Sequence, residues 1–309
     1  MKYLKKLKFS YWYIIPVILC FAFIFNGNLL KDFSWNKLIE SSDVGNNSEI
    51  NQKNSENNMY LHFLNVGKAD CCYIKYKDKN ILIDAADKEP TNVVTEYLER
   101  QGVKKLDLVV VSHPHRDHIG QMKDIIEKFE IDKFIAAKVP QNITPTSVTY
   151  EKMLKALKKK GIKINYVKSG EKFNIGDIKI EILGPVNSHE NLNSNSVVMK
   201  IKYNNVSFLF TGDAEKVEEE DIINSNADLK ATVLKVGHHG SKTSSSYNFL
   251  SKVKPKYAVI SVGPDKSNLP KEIILKRLDK FCDKIYRTDE RGTIILSTDG
   301  NDIKMKSEK

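Results

Sequence analysis

The chain has 309 residues, 41% of them hydrophobic and 28% charged, with a formal net charge of +10. That balance excludes a wholly disordered chain, and the length accommodates one large α/β domain with an appendage. The positive charge fits a nucleic-acid or anionic-surface partner and equally a general bias toward Lys, so by itself it selects neither.

Lys2, Lys5, Lys6 and Lys8 precede an uncharged apolar run from Tyr11 to Phe25. Basic residues followed by such a run have the pattern of a signal sequence or a short signal anchor. Leu4, Leu7, Phe9, Leu29 and Leu30 extend it toward spanning length. No small-x-small cleavage site follows Phe25, and Leu19 before Cys20 is too large for lipoprotein processing. Residues 1–30 are therefore predicted to be an uncleaved membrane anchor, with a buried helix of a soluble protein as the alternative. The positive-inside rule keeps the lysines cytoplasmic and places the rest outside the cell membrane; a cleaved segment would instead give a secreted protein. Residues 31–58 are polar and rich in Asn and Ser, a composition that buries no core and reads as a flexible linker.

Residues 59–309 read as a folded domain. Strands are predicted at Tyr60–Val66, Cys71–Tyr76 and Asn80–Asp84, the last two joined by a turn at Lys77-Asp78-Lys79-Asn80. A helix over Val93–Gln101 stops at Gly102, and a strand over Leu106–Ser112 follows. Gln121–Phe129 reads as a helix, Lys133–Ala137 as a strand, and Tyr150–Lys160 as a helix closed by Gly161. Further strands are expected at Ile162–Val167, Ile178–Leu183, Val197–Tyr203, Val206–Thr211, Thr232–Val236, Tyr257–Val262, Lys284–Arg287 and Thr293–Ser297. Helices are expected at Glu215–Asn224, Tyr247–Lys252 and Glu272–Phe281. Many strands with helices between them, in two similar halves, imply packed sheets with helices outside. The four cysteines (Cys20, Cys71, Cys72 and Cys282) have no Cys-x-x-Cys spacing, which indicates free buried thiols rather than a zinc knuckle or redox pair.

The chemistry concentrates after Leu108-Val109-Val110-Val111, where the chain reads His113-Pro114-His115-Arg116-Asp117-His118. Of seven histidines in the chain, three fall in this loop, which a chance surface loop explains poorly. A strand feeding such a loop can turn His113 and His115 to one ion and Asp117 and His118 to a second. Two ions about 3.5–4 Å apart can share an activated water, an arrangement suited to ester and phosphodiester hydrolysis. Three more apolar strands end in ligand-type residues: Ile81-Leu82-Ile83-Asp84, Phe208-Leu209-Phe210-Thr211-Gly212-Asp213 and Leu234-Lys235-Val236-Gly237-His238-His239. Singly each is weak, because a strand-terminal Asp is often a turn former. Together they place functional groups at the ends of rigid elements.

With these residues in order, the chain resembles the metallo-β-lactamase superfamily. Within it, the chain is most similar to the C-terminal β-lactamase-like domain of ComEC-type competence proteins and their stand-alone relatives. The resemblance runs from about Met59 to Gly300 through Phe63–Asp70, Leu82-Ile83-Asp84, the His113–Gly120 loop, Asn195-Ser196, Phe210–Asp213, Gly237–Ser241 and Tyr286–Asp289. It implies an αββα sandwich (α/β or α+β class) holding two divalent metal ions. His113, His115 and Asp213 would serve the first ion. Asp117, His118, Asp213 and one histidine of the His238-His239 pair would serve the second, with Asp213 bridging. His238 is favoured over His239 as the nearer to its strand end. Asp84 would orient a histidine ligand.

Many members carry a histidine where this chain has Asn195, which would be a weak ligand or leave an open position. His189, in the same polar loop, reads instead as a loop histidine. The smaller nitrogen set makes Mn²⁺ an expectation beside Zn²⁺. Lys68 and Ala69 stand where relatives often have Gln and Gly, and Asn268-Leu269-Pro270 stands for a common Gly-His-Pro.

The activity expected is that of a surface-anchored hydrolase, a phosphodiesterase or nuclease cleaving DNA by a metal-activated hydroxide, with Asp117, His118 and Asp213 at the reaction. Arg116, Ser241, Lys242 and Thr243 are candidates to hold the phosphate, with a solvated arginine and a polar helix-capping loop as the plain alternatives. Two other readings stay open. One is a cell-envelope phosphodiesterase of teichoic-acid or phosphorylcholine type. The other is a non-catalytic, metal-stabilised module that binds DNA or another polyanion. No obligate protein partner is implied.

Overall fold

The computed structural model of the chain describes residues 57–309. The expected anchor, and the linker up to residue 56, lie outside the described residues. Among the described residues no helix is long and apolar enough to cross a membrane.

Two sheets carry the fold. The first has eight strands in the order β17-β16-β1-β2-β3-β5-β7-β8, where β1 is Met59–Phe63, β2 Cys72–Tyr76, β3 Lys79–Ile83, β5 Leu108–Val111, β7 Phe134–Ala137, β8 Ile164–Val167, β16 Ile294–Thr298 and β17 Ile303–Ser307. The second has seven in the order β15-β14-β13-β12-β11-β10-β9, with β9 Lys172–Ile175, β10 Ile178–Gly184, β11 Val198–Tyr203, β12 Val206–Phe210, β13 Val233–Lys235, β14 Tyr257–Ile260 and β15 Lys284–Arg287. A separate pair joins β4 (Lys105–Leu106) to β6 (Glu130–Ile131). The helices are α1 (Val93–Arg100), α2 (Arg116–Ile119), α3 (Met122–Lys128), α4 (Val148–Lys160), α5 (Lys216–Asn224), α6 (Tyr247–Val253), α7 (Glu272–Leu278) and α8 (Thr288–Arg291).

Side-chain alternation explains the layering. In β1, Met59, Leu61 and Phe63 turn toward the second sheet and pack with Met199, Phe208 and Phe210. In β5, Leu108 and Val110 join that same inter-sheet core, while Val109 and Val111 face outward against α1, α3 and α4. Both faces of β5 are thus covered, which is why it reads as an unbroken apolar run. Leu209 and Leu234 likewise face outward, onto Ile222 of α5, Phe249 of α6 and Ile274 of α7. The order of layers is helix, sheet, sheet, helix, the expected αββα sandwich.

Several boundaries differ from the expected ones for local reasons. The single strand expected over Leu106–Ser112 breaks at Asp107, whose carboxylate accepts from Asn80 N–H (2.9 Å) and pairs with Lys79 (3.2 Å). Leu106 then pairs with β6 instead of continuing β5. Helix α4 starts at Val148, two residues early, because Ser147 caps it by accepting from Tyr150 N–H (3.3 Å). The expected helix over Glu272–Phe281 ends at Leu278. Strands β9 and β17 were not expected. Both are sheet edges with Lys at alternate or terminal positions, so only one face of each carries an apolar signal. Cys71 and Cys72 are buried free thiols and Cys282 is a partly buried one.

Candidate metal centre

Four strand ends meet at one edge of the sandwich. Asp84 follows β3, the His113–Gly120 loop follows β5, Asp213 follows β12 and His238-His239 follow β13. Strands β3 and β5 are parallel neighbours, as are β12 and β13, so each pair delivers its residues from carboxyl ends lying side by side.

Backbone hydrogen bonds hold the first loop. Ala85 N–H donates to His118 O (2.7 Å), Asp70 N–H to Asp117 O (3.0 Å) and Gly120 N–H to Ala86 O (2.8 Å). At Gly120 a Cβ would lie 2.2 Å from the Asp87 carbonyl carbon, so the close approach demands glycine. The single turn of α2 carries buried His118 back toward His113, their ring centroids 4.1 Å apart, and the rings of His113 and His115 are 4.7 Å apart.

The second loop reaches the centre through strain instead. His238 (φ 49°) and His239 (φ 52°) both adopt the left-handed region, uncommon for non-glycine residues, and this turns the two imidazoles to different places. His239 is fully buried and donates from Nδ1 to Ser261 O (2.9 Å), which makes Nδ1 a protonated nitrogen and leaves Nε2 facing the centre. His238 is partly exposed, with Nδ1 3.1 Å from Thr243 Oγ1.

Two neighbouring groups of donors result. In one, His113 Nε2 lies 2.9 Å from His115 Nδ1 and 3.8 Å from Asp213 Oδ2, and His238 Nε2 lies 3.7 Å from that same oxygen. In the other, Asp213 Oδ1 is 3.4 Å from His118 Nε2 and 3.9 Å from His239 Nε2, which is 3.6 Å from Asp117 Oδ2. Asp213 presents one oxygen to each group. The geometry therefore puts His239 beside Asp117 and His118, where the sequence reading favoured His238, and seats His238 with the first group.

Buried His118 Nε2, Asp213 Oδ1 and His239 Nε2 have no hydrogen-bond partner, although an unpaired buried polar atom is costly. Donors sharing a tetrahedral ion about 2 Å from each stand roughly 3.4 Å apart, close to these separations. The orphaned atoms thus fit a divalent cation. Ligand atoms of His113, His118 and Asp213, and likewise those of Asp117, His118 and His239, each gather within 4.8 Å.

The buried carboxylates draw positive charge to the centre: against burial, Asp213 and Asp84 raise His118 well above the ordinary histidine value, and Asp213 and Asp70 raise His239. Burial alone would raise Asp213, yet His118 and His239 beside it hold its carboxyl well below the ordinary range. Burial, with His118 next to it, pushes His113 well below the ordinary histidine value, toward the neutral form that ligates. Asp84 accepts from Ser112 N–H (2.8 Å) and Ser112 Oγ–H (2.7 Å) and lies 2.8 Å from His118 Nδ1, within reach to hold that ring.

The substrate candidates divide. Thr243 touches His238, Ser241 touches Thr243 (3.1 Å) and Lys242 is exposed beside them. Arg116 is 68% exposed and pairs with Asp87 at 3.0 Å. Asn195 does not turn to the centre. Its Oδ1 accepts from His189 N–H (3.2 Å) and its Nδ2 donates to His189 O (2.8 Å) and Asn191 O (2.6 Å). His189 also faces away, toward α5.

Residues to which the sequence alone assigns no role also brace the centre. Lys235, 5% exposed, pairs with Asp70 at 2.9 Å, and Asp70 Oδ1 lies 3.7 Å from His239 Nδ1. Ser196 Oγ accepts from Asp213 N–H at 3.1 Å. A Lys in the middle of Val233-Leu234-Lys235-Val236 was the available signal, since a buried cation needs a partner.

An αββα sandwich with a histidine and carboxylate centre at the ends of its parallel strands defines a metal-binding class of fold. The chain matches the Metallo-beta-lactamase superfamily over residues 64–263 and belongs to it. It is 32% identical over 204 residues to ComE operon protein 3 of Bacillus subtilis (strain 168), covering 65% of this chain and 26% of that protein. Competence protein ComA of Neisseria gonorrhoeae is 25% identical over 248 residues, covering 77% of this chain and 32% of that protein. The chain thus spans about a quarter to a third of the length of these curated relatives. Among solved structures, the metallo-beta-lactamase fold protein YhfI from Bacillus subtilis matches with a TM-score of 0.53 at 12% identity, covering 78% of this chain and 100% of that one, a likeness of fold.

Proposed function

We propose that this protein is a metal-dependent phosphodiesterase acting on DNA, tethered to the cell membrane by its N-terminal segment with the catalytic domain outside. One observation carries the hydrolase reading: three buried atoms, His118 Nε2, Asp213 Oδ1 and His239 Nε2, face one another without hydrogen-bond partners. The DNA reading draws on the similarity to a competence protein and on the basic charge of the chain.

In this reading Asp117, His118, Asp213 and His239 hold one divalent cation, and His113, His115, His238 and Asp213 hold a second, Zn²⁺ or Mn²⁺. When bound, such ions supply Lewis-acid polarisation of a phosphoryl oxygen and acidify water toward neutrality. The chain's residues do the remaining work. Asp84 and the Ser261 carbonyl fix the ring orientations of His118 and His239, leaving both Nε2 atoms aimed inward. Lys68, 3.4 Å from Asp117, adds positive charge at the mouth of the centre, where a phosphodiester is anionic. Thr243, Ser241 and Lys242 line the same mouth through His238 and offer donors to the phosphate.

The test uses the full chain, stripped of metal and reloaded with Mn²⁺ or Zn²⁺, against single-stranded DNA and bis-p-nitrophenyl phosphate. Metal-dependent cleavage of both, abolished in His115→Ala and Asp213→Ala, is expected. Cleavage of the small ester alone would move the substrate to an envelope phosphodiester. Salt-sensitive DNA binding without cleavage of either would overturn the enzyme reading in favour of a binding module.

A further inference from the structure

A second cluster of ligand-type residues lies apart from the centre, where the loop between β10 and β11 meets α5. His189 Nε2 stands 3.1 Å from Glu218 Oε2 and 3.1 Å from Asp221 Oδ2. The three donor atoms gather within 4.8 Å of one another. The Glu218 side chain is 0% exposed, and His189 is 13% exposed. Glu218 also accepts from Val186 N–H through Oε1 (3.0 Å), so its carboxylate already clamps the start of the loop.

Hydrogen bonding does not complete this arrangement. One N–H on His189 serves Glu218, whereas Asp221 Oδ2 is buried without a hydrogen-bond partner. Neither carboxylate has another ion-pair partner among the described residues, and burial raises Glu218 to about 8, so its carboxylate lacks the positive charge that a divalent cation would supply. The 3.1 Å spacings also match neighbouring donors about 2.1 Å from one octahedral ion, which stand roughly 3 Å apart.

We propose that His189, Glu218 and Asp221 bind a third divalent cation of the Mn²⁺ or Zn²⁺ class, which clasps the β10–β11 loop onto α5. The loop ends in Ser196, whose Oγ receives the Asp213 N–H, so the clasp steadies the segment that seats Asp213. The nitrogen and two carboxylate oxygens suit Mn²⁺ and Zn²⁺ better than a purely hard oxygen-loving ion.

The test is metal stoichiometry on the full chain, stripped and then dialysed against Mn²⁺ or Zn²⁺, for wild type, His189→Ala and Asp221→Asn. Loss of one bound equivalent in both variants, with the rest retained, is expected. Unchanged stoichiometry and affinity would overturn the proposal and leave a metal-free triad of His189 and the two acidic residues. Asp221→Asn keeps its shape at a partly exposed position, so it remains informative if His189→Ala does not fold. Anomalous diffraction from Mn²⁺-soaked crystals gives a second reading: a peak between the three donors supports the clasp, and its absence while the main centre is filled refutes it. Because stoichiometry is read without an assay of cleavage, an inactive protein that still loses one equivalent would count against the phosphodiesterase alone.

Discussion

The centre is assembled from two loops of opposite construction. The 113–120 loop places four ligand-type side chains on one short stretch, held by hydrogen bonds from Asp70 and Ala85 N–H and from its own Gly120 N–H to Ala86 O, and its histidines need no strained backbone. The 237–240 turn places two histidines at consecutive left-handed residues, and a Cβ at Gly240 would sit 2.4 Å from Pro270 Cβ. The first loop is organised by backbone hydrogen bonds to Asp70 and the Ala85-Ala86 segment. The second is forced into shape by what packs around it, so it depends more on its braces: Ser261 behind His239, Thr243 behind His238 and Glu219 beneath Ser245 and Ser246.

Asp213 belongs to both sides of that contrast, so Asp213→Asn should have the largest effect. Removing a charge that serves both donor groups costs several kcal/mol of transition-state stabilisation, on the order of 10³-fold in phosphodiester cleavage. A loss of only a few-fold would show that the halves act independently. On the first side, Asp84→Asn should weaken metal affinity by about 10–100-fold, read by chelator competition, because His118 loses its orienting acceptor. Unchanged affinity would mean that the backbone alone positions His118.

On the second side, burial pushes Glu219 from 4.5 up to about 7. A raised carboxyl pKa means that folding carries the cost of a buried charge above about pH 7 and is relieved of it below about pH 4.5. Relative to Glu219→Gln, the wild type should therefore gain stability as the pH falls through that window. A difference in unfolding free energy that is flat with pH would contradict the assignment. The smallest effect is expected from Thr243→Val, which frees the partly exposed His238. A few-fold rise in the apparent metal dissociation constant, with folding unchanged, is the expected outcome of the titration, and no change would demote Thr243 to a loop residue.

The outline of the fold was readable where both faces of a strand are covered. Leu108–Val111 and Phe208–Phe210 are unbroken apolar runs because helices lie on one face and a sheet on the other. Edge strands β9 and β17 carry polar residues on one side, Lys172 and Asn174 in β9 and Lys304 and Lys306 in β17, so neither shows the apolar run that marks a covered strand. Asp107 ended a strand that its neighbours continue, and only its reach to Asn80 and Lys79 on the next strand reveals why.

What the sequence determined by itself was the cluster His113, His115, Asp117 and His118, together with the carboxylates at the ends of Ile81–Asp84 and Phe208–Asp213. Residues a few positions apart in one loop are confined to a small volume by covalent geometry, so their meeting follows from spacing. Which histidine of the 238–239 pair faces Asp117 depended on two left-handed backbone angles. That Asn195 turns into its own loop, that Lys235 lies under Asp70, and that His189 meets Glu218 and Asp221 depended on how the second sheet and α5 pack. Those partners are 6, 165, 29 and 32 residues apart, and only tertiary packing brings the distant ones within hydrogen-bonding distance.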